Sequence, residues 1–367
     1  MSEPPIVTVA EAASITDPHE KLIANVRVQA HGCRQSGSPF YGALFDRMAD
    51  DIAAHGLFWW LLEPFAHESF GTVRPLRVIG AVHKLVLAGA TPALATHFPS
   101  VGGDGDAAAS WPLVAALVEE RAALFAAALE RPVQTNEVTR SVALVGGLLW
   151  LAREMRLPMA LREVGSSGGL NLRVDRYWYE QRGRGWGDAA SGVRFVDCFV
   201  DGEPPFAAPL RIVDRRGCDR YPIDVTTDDG ATTLLGFVWP GQDERFTQLR
   251  DALVAARPLP VEIESADAVE WVGRIARERA AGTTTVVYHS IVWQYLGDTE
   301  RGEIATSLQA AGATATIDAP LAWLRLEPPA GTQSPVELRV TTWPGGAERL
   351  LAVAGFHRDP VRWLADD

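Results

Sequence analysis

Apolar residues recur every three or four positions through the first part of the chain, and strand-like runs are scarce there. Between Ala107 and Glu130, the side chains Leu113, Leu117, Val118, Leu124, Phe125 and Leu129 share one face, while Glu119, Glu120 and Arg121 stay off it. That spacing predicts an amphipathic helix with one buried side. Tyr41 to His55, Val73 to Ala90 and Glu137 to Arg156 predict helices on the same grounds, and the Gly/Asp-rich loop His97 to Asp106 separates two of them. Residues 1–156 therefore read as an all-α region.

From Pro158 onward the period changes. Short β-rich runs at Met159 to Val164, Val261 to Ile263, Thr284 to His289, Val336 to Trp343 and Leu350 to Phe356 alternate with helical stretches such as Asp243 to Ala256. Such alternation predicts α/β organisation over residues 157–367. Pro344-Gly345-Gly346 joins the last two runs, so they are expected to form an antiparallel hairpin closing the sheet.

Composition narrows the class. The 367 residues are 47% hydrophobic and 22% charged, enough apolar matter for a real core. A net charge of −12 opposes nucleic acid and anionic lipid as partners. The longest apolar stretch, Val142 to Ala152, is about half the ~20 residues needed to span a bilayer. No Lys or Arg precedes Lys21 and no apolar core follows the first Met, so no signal peptide is expected and the reading is cytoplasmic. Cys33, Cys198 and Cys218 fit neither a disulfide framework nor a zinc site, and the histidines show no ligand spacing, so reduced thiols and no metal are expected. These sums remove secreted, membrane and nucleic-acid-scaffold readings and leave a soluble acidic protein.

The most informative segment is ALREVGSSGGLNLRVDRYWYE, Ala160 to Glu180. An apolar strand runs into a Gly/Ser turn and then into an expected amphipathic helix, the geometry that aims backbone N–H groups at a bound anion or polar cofactor. Glu163 adds a carboxylate at the strand's end. EVGSSGGL resembles the first motif of doubly wound S-adenosylmethionine-dependent methyltransferases. That resemblance implies that Glu163 with Gly165, Ser166, Ser167 and Gly168 holds the cofactor's amino-acid end. It implies a ribose carboxylate at the end of the second strand, where Asp219 in LRIVDRRGCDRYPID is the choice over Asp214 and Asp224. The Gly- and aromatic-rich insertion Arg182 to Pro209 lengthens that spacing, and a rival second strand at Leu234 to Trp239 would give the role to a residue near Gln242. VEIESADAVEW supplies Asp267-Ala268, similar to the acidic-plus-small pair beside the adenine. TTTVVYHSIVWQYL supplies a β-branched strand ending in His289 and Ser290, the expected catalytic positions, with Trp293 and Gln294 just beyond facing the acceptor. Six segments are quite specific in combination: YGALFDRMADD, QTNEVTRS, EVGSSGGLNLRVDRYWY, GCDRYPID, FVWPGQDERFTQLRDAL and VVYHSIVWQYL. On these, nearly the whole chain resembles the bacterial family catalogued as domain of unknown function 2332, a label that implies no activity.

In TNEVTR, the residues Asn136, Glu137 and Arg140 gather polar groups ahead of an apolar helix. They either contact the substrate, with the helical region as a lid, or form an N-cap at Thr135 or Asn136 with solvated ion pairs. The expectation is an α-helical region followed by a doubly wound, Rossmann-like α/β domain that binds S-adenosylmethionine and methylates a small molecule. Two alternatives stand beside it. Gly165-x-Ser167-x-Gly169 also satisfies the nucleophile elbow of a serine hydrolase, with Asp318 and His357 in the required order. A non-catalytic protein that binds a nucleoside cofactor would keep the same pocket. A nicotinamide dehydrogenase is disfavoured, since the turn is not G-x-G-x-x-G.

Overall fold

The structure, a computed structural model, describes residues 8–329, 332, 335–355 and 360–365. The chain forms two compact units, Met1–Thr135 with Asp228–Thr247, and Asn136–Thr227 with Gln248–Asp367.

The first unit is helical: α1 (Val9–Ser14), α2 (Pro18–Gln35), α3 (Pro39–Ala53), α4 (Leu57–Leu62), α5 (Arg74–Leu87), α6 (Pro92–Ala95), α7 (Ala107–Glu120) and α8 (Ala122–Glu130). Helix α9 (Ser141–Met155) belongs to the second unit and α10 (Asp228–Leu235) to the first. Asp17 caps α2 by accepting the Glu20 N–H, and Asp106 caps α7 by accepting those of Ala108 and Ala109. The helix expected over Ala107 to Glu130 is two helices, broken at Arg121. Phe125 and Leu129 stay buried in α8, where they pack with α5, but Leu124 is exposed rather than on the apolar face. Segment 228–247 joins this unit through α5: the Gly236 carbonyl accepts from Nδ1 of His83 at 3.2 Å, and Lys84 pairs with Asp229 at 2.7 Å. A Cβ on Gly80 would lie 2.6 Å from Phe237, so glycine is what lets that segment approach.

The second unit is built on a mostly parallel sheet. Its strands are β1 (Met159–Val164), β5 (Phe199–Val200), β6 (Ile212–Asp219), β7 (Glu262–Ser265), β8 (Thr284–Ser290), β9 (Leu321–Glu327), β10 (Val336–Trp343), β11 (Ala347–Ala354) and β12 (Val361–Trp363). A separate small sheet holds β2 (Trp178–Gln181), β3 (Arg184–Gly187) and β4 (Arg194–Val196), so the insertion after the Gly/Ser turn carries its own strands. The large sheet has nine strands among the described residues, in the order β5-β12-β11-β10-β9-β8-β1-β6-β7. β7, β6, β1, β8 and β9 run parallel, and β10 to β12 continue antiparallel. From β1 the sheet grows first towards β6 and β7, then from the other side of β1 towards β8 and β9. The order of growth therefore reverses between β1 and β8. β1 and β8 are buried along their whole length, as central parallel strands are.

Helices α11 (Asp243–Ala256), α12 (Ala268–Ile275) and α13 (Asp298–Ala313) complete the elements. α12 packs on β1 and β6, α13 on β9 and β10, and α9 on β9, β10 and β11. Gly146 and Gly147 let α9 lie close, since Cβ atoms there would stand 2.7 Å from Trp363 and 2.8 Å from Leu324. That packing puts the unit boundary at Asn136, ahead of α9, where periodicity alone put it at residue 156.

The second strand is β6, ending at Asp219; the rival placement at Leu234 to Trp239 is instead the end of α10 and the turn after it. The hairpin at Pro344-Gly345-Gly346 forms, pairing β10 with β11, yet it does not close the sheet because β12 and β5 lie beyond it. Its expected last residue, Phe356, is outside the described residues. No described helix is long and apolar enough to cross a membrane, no described cluster of His, Cys, Asp and Glu could hold a metal, and no disulfide joins the three cysteines.

Candidate functional site

β1 delivers its C-terminal residues to the point where the sheet's order reverses, which in open α/β sheets is where a crevice for ligands forms. The turn that follows is tightly wound. Gly165, Ser167 and Gly169 all have positive φ, at 71°, 53° and 68°. The N–H groups of Gly165 and Ser166 both donate to the Cys218 carbonyl, and Ser166 Oγ donates to the Glu163 carbonyl. Ser167 N–H donates to Asp219 Oδ2 at 2.9 Å, and Gly169 N–H to the Ser166 carbonyl. Asn136 Oδ1 accepts from both Gly168 and Leu170, each at 3.1 Å. Arg173 closes the other side by donating to the carbonyls of Gly168 and Gly169.

Every N–H from Gly165 to Leu170 is thus committed within the protein, and the turn is no cradle for an anion. The helix expected after it is a 3-10 stretch, Leu170–Arg176, with non-helical angles at Arg173. Asn136 and Arg173 take the groups that would start an α-helical ladder, and β2 begins at Trp178, so the expected helix dipole is missing. A ligand here meets carboxylates instead. Gly165 is exposed, while Glu163 and Ser166 to Leu170 are buried.

Glu163 is the central feature. It is 2% exposed, and its Oε2 has no hydrogen-bond partner. Burial, reinforced by the charge of Asp219, raises its carboxyl well above the ordinary range, and Arg173 and Arg140 pull the other way. A buried carboxyl oxygen without a donor is costly unless a ligand or water satisfies it.

Asn136, Glu137 and Arg140 come to this same edge. Asn136 holds the turn, Arg140 donates to the Ser290 carbonyl at 3.1 Å, and the Glu137 carbonyl accepts from Asn171 Nδ2. Glu137 Oε1 caps the 3-10 turn Val138–Arg140 by accepting from Thr139. The α-helix therefore starts at Ser141 rather than Glu137. Glu137 and Asn136 are buried, which departs from the reading of solvated ion pairs.

His289 and Ser290 end β8 beside Glu163 and Val164, with Val164 in register with His289. His289 is 1% exposed, with Nδ1 2.6 Å from Glu327 Oε1 and Nε2 3.2 Å from the indole N–H of Trp323. Its ring stacks on Trp293, centroids 4.3 Å apart and planes 8° from parallel. Glu327 Oε1 also accepts the Val292 N–H, tying the loop after β8 to β9. In that loop Ile291 has a φ of 55°, a strained conformation for a β-branched residue. Gln294 is exposed.

The remaining carboxylates each hold partners within the protein. Asp219 accepts the N–H groups of Ser167 and Tyr221. Asp214 pairs with buried Arg162 inside the sheet at 2.6 Å, and Asp224 accepts from Thr226 in the following turn. Of the three, Asp219 is the one that touches the Gly/Ser turn. Asp267 is the N-cap of α12 and pairs with Arg220, with Ala268 as the helix's first residue.

The hydrolase triad is not assembled. Asp318 precedes β9 and its carbonyl accepts from Gly282, just before β8, whereas Ser167 follows the other end of β1. Since these strands are parallel, the length of a strand, roughly 20 Å, separates the two. The N–H after the supposed nucleophile, that of Gly168, is already given to Asn136. His357 lies outside the described residues.

Sequence reasoning missed Glu327, Trp323, Asn171 and Arg173. The first two sit on β9, whose run LAWLRLE between two prolines was a usable strand signal. No curated protein and no solved structure matches the chain. The family model described as "uncharacterized protein conserved in bacteria (DUF2332)" matches residues 24–363, and the chain belongs to that family.

Proposed function

We propose that the protein binds S-adenosylmethionine at the carboxyl ends of β1 and β6 and methylates a small-molecule acceptor. The observation that carries this reading is the buried Glu163 Oε2 without a donor, one residue from the end of β1 and beside exposed Gly165. A cofactor with an ammonium group supplies the missing donor and a compensating charge, and the pyrophosphate of a dinucleotide supplies neither. The order β7-β6-β1-β8-β9 matches the first five strands of a Rossmann-like sheet, 3-2-1-4-5. The turn's N–H groups being internally satisfied also fits a cation better than an anion.

When bound, the cofactor would supply an electrophilic methyl group for an acceptor's lone pair, its sulfur keeping the C–S electron pair and the acceptor's proton going to solvent. Glu163 binds and orients the amino-acid end, Asp219 the ribose, and Asp267 with Ala268 flanks the base. Asn136 keeps the turn in place. Both ring nitrogens of His289 are engaged, so its role is to position the loop Ile291–Trp293 rather than to take the proton. That engagement also favours, as a second reading, a nucleoside-cofactor-binding protein without catalysis.

Isothermal titration with S-adenosylhomocysteine and S-adenosylmethionine tests the reading. Micromolar binding that weakens at least tenfold, about 1.4 kcal/mol, in Glu163→Gln is expected. Absence of binding to the wild-type protein overturns it. Methyl transfer from labelled cofactor into small-molecule extracts then separates the enzyme from the binder.

A further inference from the structure

A cavity whose lining includes neither Glu163 nor the Gly/Ser turn lies within the α/β unit. It has a volume of ≈ 500 Å³ and is lined by residues of α13, β9, β10, β11 with the turn before it, and the loop after β8. Its walls include three indoles, Trp293, Trp323 and Trp343, together with Arg301, Arg325 and Glu348. The volume falls within the range that holds one- or two-ring molecules, roughly 300–1,000 Å³.

The charges in it are unbalanced. Glu348 is shared, pairing with Arg325 and, at 3.0 Å, with Arg339. Arg301 donates its Nε–H to the Trp293 carbonyl at 2.9 Å, and its one carboxylate contact is Asp298 at 3.3 Å, whose side chain is fully solvated. Two guanidiniums thus face the cavity against one carboxylate already divided between two arginines. Arg325 stacks over the Trp323 ring at 4.2 Å and keeps a buried Nε–H with no acceptor. An unpaired buried donor in a cationic, indole-lined cavity calls for an anionic acceptor. Trp293 is half-buried and offers a π surface, which a planar ring covers better than an aliphatic one does.

We propose that this cavity is a binding site for a planar aromatic carboxylate, its ring against Trp293 and its carboxylate against Arg301 and Arg325. The site stands on its own residues and does not depend on how the Gly/Ser turn is used. A cation would face both guanidiniums, and inorganic anions would leave the indoles uncovered.

Ligand-observed fluorine NMR with 6-fluoro-2-naphthoate tests it, with 6-fluoro-2-naphthamide, cyclohexanecarboxylate competition and inorganic phosphate competition as controls. The naphthoate is expected to bind the full-length protein at least tenfold more tightly than the amide. Neither competitor should displace it at equal concentration. Arg301→Gln and Trp293→Leu should each weaken it at least fivefold, with circular dichroism confirming that both variants are folded. Equal binding of acid and amide, or unchanged affinity in the folded variants, overturns the proposal. Should Trp293→Leu fail to fold, Arg301→Gln, on a half-exposed helical side chain, decides alone.

Discussion

Glu327 holds His289 in one orientation: its Oε1 lies 2.6 Å from Nδ1, on a strand that pairs directly with the strand carrying the histidine. The Trp323 indole can only donate, so Nε2 of His289 accepts, and the network assigns the neutral tautomer with its proton on Nδ1. Nitrogen NMR of the labelled protein should show Nδ1 as the protonated position. Glu327→Gln should disturb that signal and loosen the loop after β8, since Val292 N–H shares the same oxygen. A proton found on Nε2 in the wild-type protein would refute the assignment.

Stability should respond to pH through Glu163. Burial and Asp219 hold its carboxyl above the ordinary value of 4.5, so the folded state keeps a proton that the unfolded chain has lost. The contribution is fully present below 4.5 and is lost as pH rises through the folded value. Glu163→Gln cannot ionise, so its melting temperature relative to wild type should climb as pH rises above about 4.5, and the two should coincide below that value. A constant offset across the range would count against a protonated Glu163.

The same group makes a prediction about binding. An ammonium placed on Glu163 favours the carboxylate, so cofactor binding at any pH where the buried carboxyl still holds its proton should release that proton. Titrations with S-adenosylhomocysteine in buffers of different ionisation enthalpy should give heats that differ, and Glu163→Gln should remove most of the difference. Buffer-independent heats for the wild-type protein would place the cofactor's ammonium elsewhere.

Local patterns were enough for the helical region, β1, the terminal hairpin and the Gly/Ser turn, because each rests on periodicity or turn chemistry within a few residues. The inserted segment 228–247 was not legible, since it joins the helical unit through contacts distant in sequence, such as Phe237 on Gly80 and Gln242 Nε2 donating to the Ser36 carbonyl. The state of the turn was hidden for the same reason. Its N–H groups look available in sequence, but the acceptor for two of them is Asn136, 32 and 34 residues upstream. The partners of His289 are 38 and 34 residues downstream on β9, and although the run LAWLRLE marks a strand, nothing local to it says that it pairs beside β8.

Asn136 should prove structural as well as functional. Its Oδ1 serves two buried N–H groups, and its φ of 33° is one that Asn tolerates better than most residues. Asn136→Ala orphans both donors and adds backbone strain, at a cost of about 2–4 kcal/mol. Asn136→Asp keeps an acceptor and should recover much of it in urea unfolding, whereas Asn136→Gly relieves only the backbone. Equal stability of the Asp and Ala variants would show that the acceptor is unimportant.

The helical unit should lose stability in acid through His83. This ring is fully buried, with Nδ1 on the Gly236 carbonyl and Nε2 on Ser100 Oγ, and burial pushes its pKa down to about 4 from 6.5. The unfolded chain therefore takes up a proton that the folded unit refuses. Stability is complete above 6.5 and falls as pH drops towards about 4, by roughly 3 kcal/mol over the whole interval. Hydrogen exchange of the α5 amides reads this locally: protection should fall with acidification over that window in the wild-type protein, after correction for the intrinsic exchange rate. His83→Gln retains a side-chain donor and an acceptor but cannot titrate there, so its protection should start lower at neutral pH and change much less. If the two profiles remain parallel from pH 7 to 4, the acid sensitivity of α5 comes from carboxylates on the surface and not from this ring.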